Sequence, residues 1–391
     1  MHGVGLPFAQ RAFAAAGFPA DKFSVVQVQA APDPDFPSVK FPNPEEKGAL
    51  DLAIAHADEV GAAVVFANDP DADRFCAAER QADGQWLVFT GDQLGTLFAD
   101  FAISRHRAAG RAMEKLAIVG STVSSKMPLT MAMKEGGASS DCLTGFKWIG
   151  NKALELEAEG KTVVFAWEEA IGYMHGSEIR DKDGISALVV LASLATSLAD
   201  AGINLASHLD ALYGKYGFHA TSNSYVISHD SVKTDEIFYR LRYGARAEAE
   251  VASDPKGALS LPTALAGFPI TYLRDLTVGY DSSTADRKPT LAVDPSSHMI
   301  SFAVGGEDGI QVTGTVRTSG TEPKVSRVLH FAHVMVTYYL CWRCRSSGTA
   351  KEQARTARRS RPNWPRWSLL WVPTGFARKS TSWTVLRLSH M

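Results

Sequence analysis

The chain is poor in cysteine, with four among 391 residues. Cys76 and Cys142 lie in apolar stretches and are typical of small core residues. Cys341 and Cys344 form one C-x-x-C pair, but no second pair follows to complete a zinc site, and no βαβ pattern indicates a thioredoxin-type motif. The sequence therefore excludes a disulfide-built fold and argues against a cysteine-based metal or redox centre.

Long apolar runs are also absent. The longest, 185–198, contains Ser and Thr and is shorter than the ~20 apolar residues that a membrane-spanning helix needs. The first residues show no basic region followed by an apolar core, so we expect no secretory signal. With 45% hydrophobic and 21% charged residues, the composition is typical of a soluble globular protein. We expect a cytoplasmic protein without a membrane partner.

Charge is unevenly divided along the chain. The formal net charge is −2, yet residues 326–391 hold ten arginines, two lysines, one glutamate and five of the eight tryptophans. Charge alone would allow such a tail to contact nucleic acid, but translation from a different reading frame explains the composition equally well. We expect no nucleic-acid partner and a poorly ordered Arg/Trp-rich tail over 331–391.

Up to about residue 217, short apolar runs alternate with helical patterns. The predicted strands are 62–67, 116–120 and 162–167, and the predicted helices are 45–60, 125–135, 150–159 and 185–201. This alternation predicts α/β domains with mostly parallel sheets. Further on, "SNSYVIS", "HMISFAV" and "IQVTGTVRT" indicate antiparallel strands and "DEIFYRLR" a helix, which predicts a smaller α+β domain.

Three aspartates alternate in "NDPDADRF", directly after the apolar run "GAAVVFA". Alternate residues of an extended loop point the same way, so Asp69, Asp71 and Asp73 can converge on one hard cation such as Mg²⁺. An EF-hand is excluded, because its sixth and twelfth positions need Gly and Glu and here hold Arg74 and Arg80. Arg74 would add a planar fork for a phosphoryl group. The alternative is a solvated acidic loop.

A second stretch with possible chemistry is "VRTSGTEPK", over 316–324. Glycine lets the backbone approach an anion, and the hydroxyl and basic neighbours supply donors, so the stretch predicts a phosphate cradle. The residues concerned are Arg317, Ser319, Gly320, Thr321 and Lys324. The Walker A spacing is absent, and an ordinary turn is the alternative.

Two further stretches follow predicted strands. In "FAWEEAIGYMHGSEIRDKDG" the strand ends at Glu168, which suits paired sugar hydroxyls, and Lys182 follows in the loop, where it could meet an anionic group. In "LTGFKWIGN", Thr144, Gly145 and Lys147 occupy another strand-to-helix loop. Taken alone, either stretch is equally consistent with a charged surface loop.

Eight stretches in this order resemble the α-D-phosphohexomutases, and in particular the phosphoglucomutase-2 branch, whose members act as phosphopentomutases and phosphoglucomutases. The stretches are "MHGVG", "FPNPEE", "NDPDADR", "STVSSK", "TGFKWIGN", "EEAIGYM", "DKDG" and "RTSGTEPK". The resemblance covers residues 1–325. It implies three related α/β domains and a smaller α+β domain around a central cleft, with one active-site loop from each.

The resemblance also implies where this chain lies in that architecture. It places an α/β domain with the metal loop at 1–115, an α/β domain with the sugar-binding loop at 116–217, an α+β domain with the phosphate loop at 218–330, and an unrelated tail at 331–391. The family's phosphoserine lies in its first domain, in a T-x-S-H-N-P motif that does not occur here. We expect the first domain to be missing through truncation and the chain alone to be inactive.

Residue by residue, the resemblance assigns Asp69, Asp71 and Asp73 to Mg²⁺. Arg74 and Lys182 would be catalytic, next to the transferring phosphoryl group and the substrate phosphate. The implied substrate-binding residues are Thr144, Gly145, Lys147, Glu168, Lys182, Arg317, Ser319, Gly320, Thr321 and Lys324. The residue two positions after Glu168 is alanine, where glucose-type mutases place serine, which fits the pentomutase branch.

The implied reaction transfers a phosphoryl group between the 1-position and the 6- or 5-position of a sugar, through phosphoserine and Mg²⁺. Glucose 1,6-bisphosphate would be the activator, small sugar phosphates the partners, and the chain a monomer. Two alternatives stay open: a glucose 1,6-bisphosphate synthase on the same scaffold, and a fragment that binds sugar phosphate without turnover. An aspartyl phosphatase is disfavoured, because Asp73 stands where Thr or Val is usual.

Overall fold

The computed structural model describes residues 1–245, 251–252, 259–260, 263–265, 268–305, 310–318 and 324–333. The predicted Arg/Trp-rich tail lies outside these residues, apart from the end of the last strand.

The first part of the chain forms a small sheet with helices beside it. The helices are α1 (Leu6–Ala15) and α2 (Asp51–Val60), and the strands are β1 (Val64–Asn68), β2 (Phe75–Arg80) and β3 (Trp86–Val88), in the order β1-β2-β3. Both pairings are antiparallel, so the prediction of parallel strands is wrong here. The short loop between β1 and β2 turns the chain back, whereas a parallel partner needs a crossover of a dozen or more residues.

Helix α2 begins later than the predicted 45–60. Asn43 does not cap it, because its Oδ1 accepts a hydrogen bond from the backbone N–H of Glu45 at 3.0 Å and forms a local turn. Gly48 has a φ of 85°, which a helix does not tolerate, and the helix begins at Asp51. It ends at Val60 and is followed by Gly61 in the left-handed conformation, which glycine permits.

The second sheet has the order β5-β4-β6-β7. Along the chain, this part of the structure comprises the four strands of the sheet and five helices. They are α3 (Gly91–Ala108), β4 (Leu116–Ser121), α4 (Met127–Lys134), β5 (Ala138–Cys142), α5 (Phe146–Ala158), β6 (Thr162–Glu168), β7 (Gly172–His175), α6 (Gly184–Asp200) and α7 (Leu205–Tyr216). Strand β4 pairs in parallel with β5 and β6, while β7 is antiparallel to β6. The prediction of parallel strands is confirmed for β4 and β6.

The first two sheets share one apolar core. Trp167 of β6 is fully buried and packs against Gly95 and Gly120, where a Cβ would lie 2.7 and 2.6 Å from its ring. Backbone contacts join the sheets directly, because Arg74 bridges Gly172 and the loop before β2 thereby lies beside the end of β6. The loop over 69–74, which carries the three aspartates and is called the metal loop below, is therefore held next to the carboxyl ends of strands in the second sheet.

The third part is the predicted α+β unit. It comprises β8 (Phe218–Ile227), α8 (Ser231–Tyr243), β9 (Ala264–Leu265), β10 (Phe268–Asp275), β11 (Tyr280–Asp281), β12 (Met299–Gly305), β13 (Ile310–Thr318) and β14 (Lys324–His333). The antiparallel sheet runs in the order β11-β10-β12-β13-β14-β8, with β9 on β10. The three predicted strands and the predicted helix are confirmed.

No single helix in the described ranges has the length and apolar character to cross a membrane; α6 and α7, bent by 88°, meet that test only as a pair.

Candidate metal and phosphate site

The metal loop begins where β1 ends. Asp69 is 2% exposed and accepts two hydrogen bonds from Arg74, one from its backbone N–H at 3.0 Å and one from Nε at 2.5 Å. Burial raises the pKa of Asp69, and the contacts with Arg74 oppose that rise. Asp71 is exposed and Asp73 half-buried. The first carboxylate of the loop is therefore buried and held in place, whereas the other two are open to solvent.

Two glycine-containing motifs clamp this loop from either side. Gly3 of "MHGVG" lies so close that a Cβ would be 2.2 Å from the carbonyl oxygen of Pro70. A Cβ at Gly184 of "DKDG" would be 2.4 Å from the carbonyl oxygen of Arg74. The backbone N–H of Gly184 also donates to the carbonyl of Ala72, a residue with a φ of 60°. These glycines are required by close approach, a role that the sequence patterns did not reveal.

The three aspartates lie close to the spacing that a hard cation needs. Oxygen atoms of Asp69, Asp71 and Asp73 lie within 4.8 Å of one another. Ligands on opposite sides of Mg²⁺ are ~4.2 Å apart, since each Mg–O distance is ~2.1 Å, so a small closing movement suffices. Carboxylate oxygens are the donors that Mg²⁺ prefers. The residues present therefore fit the metal.

Lys182 reaches the metal loop from the second sheet. Its Nζ lies 2.7 Å from Oδ2 of Asp73 and 3.7 Å from Oδ1 of Asp181. Burial by itself lowers the pKa of Lys182, but the hydrogen bond and charge of Asp73 outweigh it and the pKa is raised. Gly172 makes room for the stem of this lysine, because a Cβ there would lie 3.1 Å from Lys182 Cδ.

Glu168 ends β6 beside the same lysine. Its Oε2 accepts the backbone N–H of Gly145 at 3.2 Å, which joins the predicted sugar-binding loop to the "TGFKWIGN" loop. Burial raises the pKa of Glu168 to about 7, and the charge of Glu169 adds to the rise. The positive charges of Lys182 and Arg317 act in the opposite direction. Glu168 is thus a largely buried carboxyl group with a raised pKa that lies close to the N–H of Gly145 and to Lys182.

The base of the phosphate loop is tied to a buried ion pair. Arg317 and Thr318 end β13, and Thr318 exchanges two hydrogen bonds with the backbone of His298, at 3.0 and 3.1 Å. The ring of His298 contacts Arg242 at 3.0 Å, and Arg242 in turn makes a two-point contact with buried Asp275. Sequence reasoning missed this support, because its members are scattered along the chain.

The structure also describes four other predicted site residues. Thr144 Oγ1 and Arg317 Nε are buried atoms without a hydrogen-bond partner among the described residues. Lys147 is exposed, with its Nζ 5.7 Å from the ring centre of Trp148. Lys324 begins β14, where its backbone pairs with β8.

Three residues of the predicted phosphate cradle, Ser319, Gly320 and Thr321, lie outside the described part of the chain.

Serine side chains at the end of β4 and in the loop after it support the backbone next to Glu168. Ser124 Oγ donates to Glu169 Oε2 at 2.8 Å and accepts the backbone N–H of Glu169 at 2.9 Å. Ser121 Oγ donates to the same carboxylate at 3.2 Å. These bonds join the ends of two parallel strands and hold the backbone on which Glu168 sits. The "STVSSK" and "EEAIGYM" motifs contained the signal, but their contact could not be read from the sequence.

Two family profiles match the chain. Residues 1–84 match the profile "Phosphoglucomutase/phosphomannomutase, alpha/beta/alpha domain II", and residues 90–216 match that of domain III of the same family. The chain belongs to the α-D-phosphohexomutase family. The resemblance carried by the motifs is thereby confirmed, as is the fold class of α/β mixed-sheet domains.

Named relatives of this phosphohexomutase chain extend the match into the third sheet. The "Probable phosphoribomutase" of Schizosaccharomyces pombe is 45% identical over 325 residues, covering 83% of this chain and 53% of the relative. The human "Phosphopentomutase" is 44% identical over 331 residues, covering 83% and 51%. The human "Glucose 1,6-bisphosphate synthase" is 40% identical over 328 residues, covering 83% and 50%. The chain spans about half the length of these curated relatives.

Solved structures of the family share the fold. A phosphoglucomutase/phosphomannomutase family protein from Burkholderia thailandensis superposes with a TM-score of 0.50 at 18% identity, covering 93% of this chain and 59% of that one. A putative phosphomannomutase from Thermus thermophilus gives a TM-score of 0.50 at 17% identity, covering 92% and 59%. At such low identity the comparison concerns the fold alone.

Proposed function

We propose that this chain carries the metal-, sugar- and phosphate-binding loops of a phosphomutase that moves a phosphoryl group between two oxygens of one sugar phosphate. The observation that carries the proposal is that carboxylates of the metal loop lie in contact with the basic side chains of Arg74 and Lys182. Asp69 and Asp73 contact Arg74 and Lys182, and Glu168 lies within electrostatic reach of Lys182. Such a place suits a metal ion and a phosphoryl group together.

Each group has a distinct part in this proposal. Asp69, Asp71 and Asp73 would hold Mg²⁺, which when bound neutralises oxygens on the transferring phosphoryl group. Arg74 and Lys182 would contact that group through N–H donors. Glu168 would accept hydrogen bonds from sugar hydroxyls.

The remaining loops would fix the far end of the substrate. The distal phosphate would bind Arg317 and the cradle after it, whose predicted members are Ser319, Gly320, Thr321 and Lys324. Thr144, Gly145 and Lys147 would line the cleft on the side of the second sheet. Catalysis would then rest on positioning and charge neutralisation, as phosphoryl transfer requires. The reaction would also use a phosphoserine and a sugar bisphosphate activator.

A pentose phosphate is the favoured substrate class in this proposal. Relatives named for phosphopentomutase or phosphoribomutase are 41–45% identical to this chain, against 39–40% for those named glucose 1,6-bisphosphate synthase. Glucose 1,6-bisphosphate synthesis is the second candidate, because that relative matches over almost the same length.

Calorimetric binding of sugar phosphates tests the proposal. Ribose 5-phosphate and glucose 6-phosphate should bind in the presence of Mg²⁺, and Arg317→Gln should weaken both at least tenfold, since a charge-assisted contact to phosphate is lost. Arg80→Gln, on the exposed end of β2, is the matched control and should leave binding unchanged. Equal affinities for the parent and Arg317→Gln would contradict the assignment of the phosphate loop.

A further inference from the structure

We propose that Lys182 is an internal counter-ion of the metal loop, which holds Asp73 when no metal is bound and is displaced from it by Mg²⁺. The inference rests on the magnesium site proposed above. It adds a second task to a residue assigned so far only to substrate phosphate, and it makes the affinity for the metal depend on a side chain that is not a metal ligand.

The charges of the loop show why a counter-ion is needed. Asp69, Asp71 and Asp73 bring their oxygens within 4.8 Å of one another, and like charges at that distance repel. Asp69 is matched by Arg74, which binds both of its oxygens. Arg74 is a poor partner for Asp73, because its Nε lies 3.9 Å from Oδ1. The close cation for Asp73 is Lys182, at 2.7 Å from Oδ2.

Lys182 is well placed to exchange with a metal ion. Its side chain is 24% exposed and that of Asp73 is 33% exposed, so water and ions reach the pair. A lysine ammonium is a compact charge on a flexible stem, unlike the planar fork of arginine. Arg74 is additionally fixed by its backbone, since its N–H donates to Asp69 and its carbonyl accepts from Asn68. Lys182 is therefore the cation of the two that can leave.

Mg²⁺ and the lysine ammonium compete for the same carboxylate. Bound Mg²⁺ would place two positive charges within a few ångströms of Nζ, and the resulting repulsion favours a lysine that has swung away. The stem of Lys182 lies next to Gly172 and Phe146, and Glu168 packs on the same glycine, within electrostatic reach of the ammonium. Metal binding would thus free Lys182 to meet a substrate phosphate.

Titration of the full chain with Mg²⁺ alone, by isothermal titration calorimetry, tests this exchange. Lys182→Met should bind Mg²⁺ about fivefold more tightly than the parent, because a partly exposed ion pair no longer has to break. Lys182→Arg keeps the charge and should bind Mg²⁺ no more tightly than the parent. Lys152→Met removes a surface lysine paired with Glu155 on α5 and should leave the affinity unchanged.

A double-mutant comparison separates direct pairing from a general field effect. In an Asp73→Asn background, Lys182→Met should bring no gain in Mg²⁺ affinity, because the carboxylate that joins the two is gone. A similar gain in both backgrounds would overturn the proposal. If the parent binds Mg²⁺ and Lys182→Met binds it no more tightly, the counter-ion role is wrong while the metal site stands. If neither binds Mg²⁺, both the site and the counter-ion role fail.

Thermal unfolding gives a second readout for the same idea. In metal-free buffer, Lys182→Met should unfold at a lower temperature than the parent, since it leaves Asp73 without its close cation. The difference should shrink toward zero at saturating Mg²⁺. A deficit that Mg²⁺ leaves unchanged would show that Lys182 acts in the metal-bound and metal-free chains alike, which contradicts the exchange.

Discussion

Replacing Glu168 with glutamine should stabilise the chain at high pH and change little at low pH. Burial, aided by the charge of Glu169, raises the pKa of Glu168 from 4.5 to about 7. A carboxyl group of this kind holds its proton more tightly in the folded chain than in the unfolded one. Its stabilising contribution is complete below about pH 4.5 and is lost as the pH rises through 7.

The magnitude follows from the size of the rise. A change from 4.5 to about 7 corresponds to about 3 kcal/mol at ~1.36 kcal/mol per pKa unit. This is an upper bound, because Glu168 keeps some contact with solvent. We therefore expect Glu168→Gln to be about 1–2 kcal/mol more stable than the parent at pH 8 and equal to it near pH 4.5. Glutamine keeps an acceptor for the N–H of Gly145.

Urea unfolding between pH 4.5 and 8.5, in buffer with a chelator, measures this difference. Glu155→Gln is the matched control, because Glu155 lies on α5 with 60% of its side chain exposed, and it should track the parent at every pH. A variant difference that is constant across the pH range, or a loss of stability at pH 8, would refute the reasoning about Glu168.

Two further outcomes are expected. Gly184→Ala should lower the free energy of unfolding by more than about 2 kcal/mol, because its Cβ would lie 2.4 Å from the Arg74 carbonyl. Gly214→Ala is its control, because Gly214 lies on α7 with open space around it, and it should be neutral or slightly stabilising in the same urea assay. Arg242→Met should cost about 3–5 kcal/mol by leaving buried Asp275 unpaired, and calorimetry should show weakened phosphate binding.

The local parts of the site could be predicted from the sequence because their signals are local. The alternation of Asp69, Asp71 and Asp73 after an apolar run has one simple structural reading, an acidic loop at the end of a strand, and the structure contains it. The limits of β13 were likewise predicted, because "IQVTGTVRT" is rich in β-branched residues and is followed by a turn-forming pair.

Contacts between distant segments could not be predicted in this way. The pairing of Lys182 with Asp73, and the support of Thr318 by His298 and Arg242, depend on how sheets pack, and no short-range pattern encodes that. Strand β2 was not among the predicted strands, and its antiparallel pairing with β1 departs from the predicted parallel sheets, because strand–helix alternation says nothing about a strand that follows by a tight loop. Domain limits at 115 and 217 and the roles of the individual site residues remain predictions.

The most direct test of the metal site at the centre of this account is thermal unfolding during a Mg²⁺ titration. The parent should gain stability at millimolar Mg²⁺, by about 1.4 kcal/mol when the concentration is ten times the dissociation constant. Asp71→Asn should gain much less, while Asp83→Asn, in the turn before β3, should gain as much as the parent. A parent that gains nothing, or an Asp71→Asn variant that gains equally, would show that these aspartates do not form a metal site.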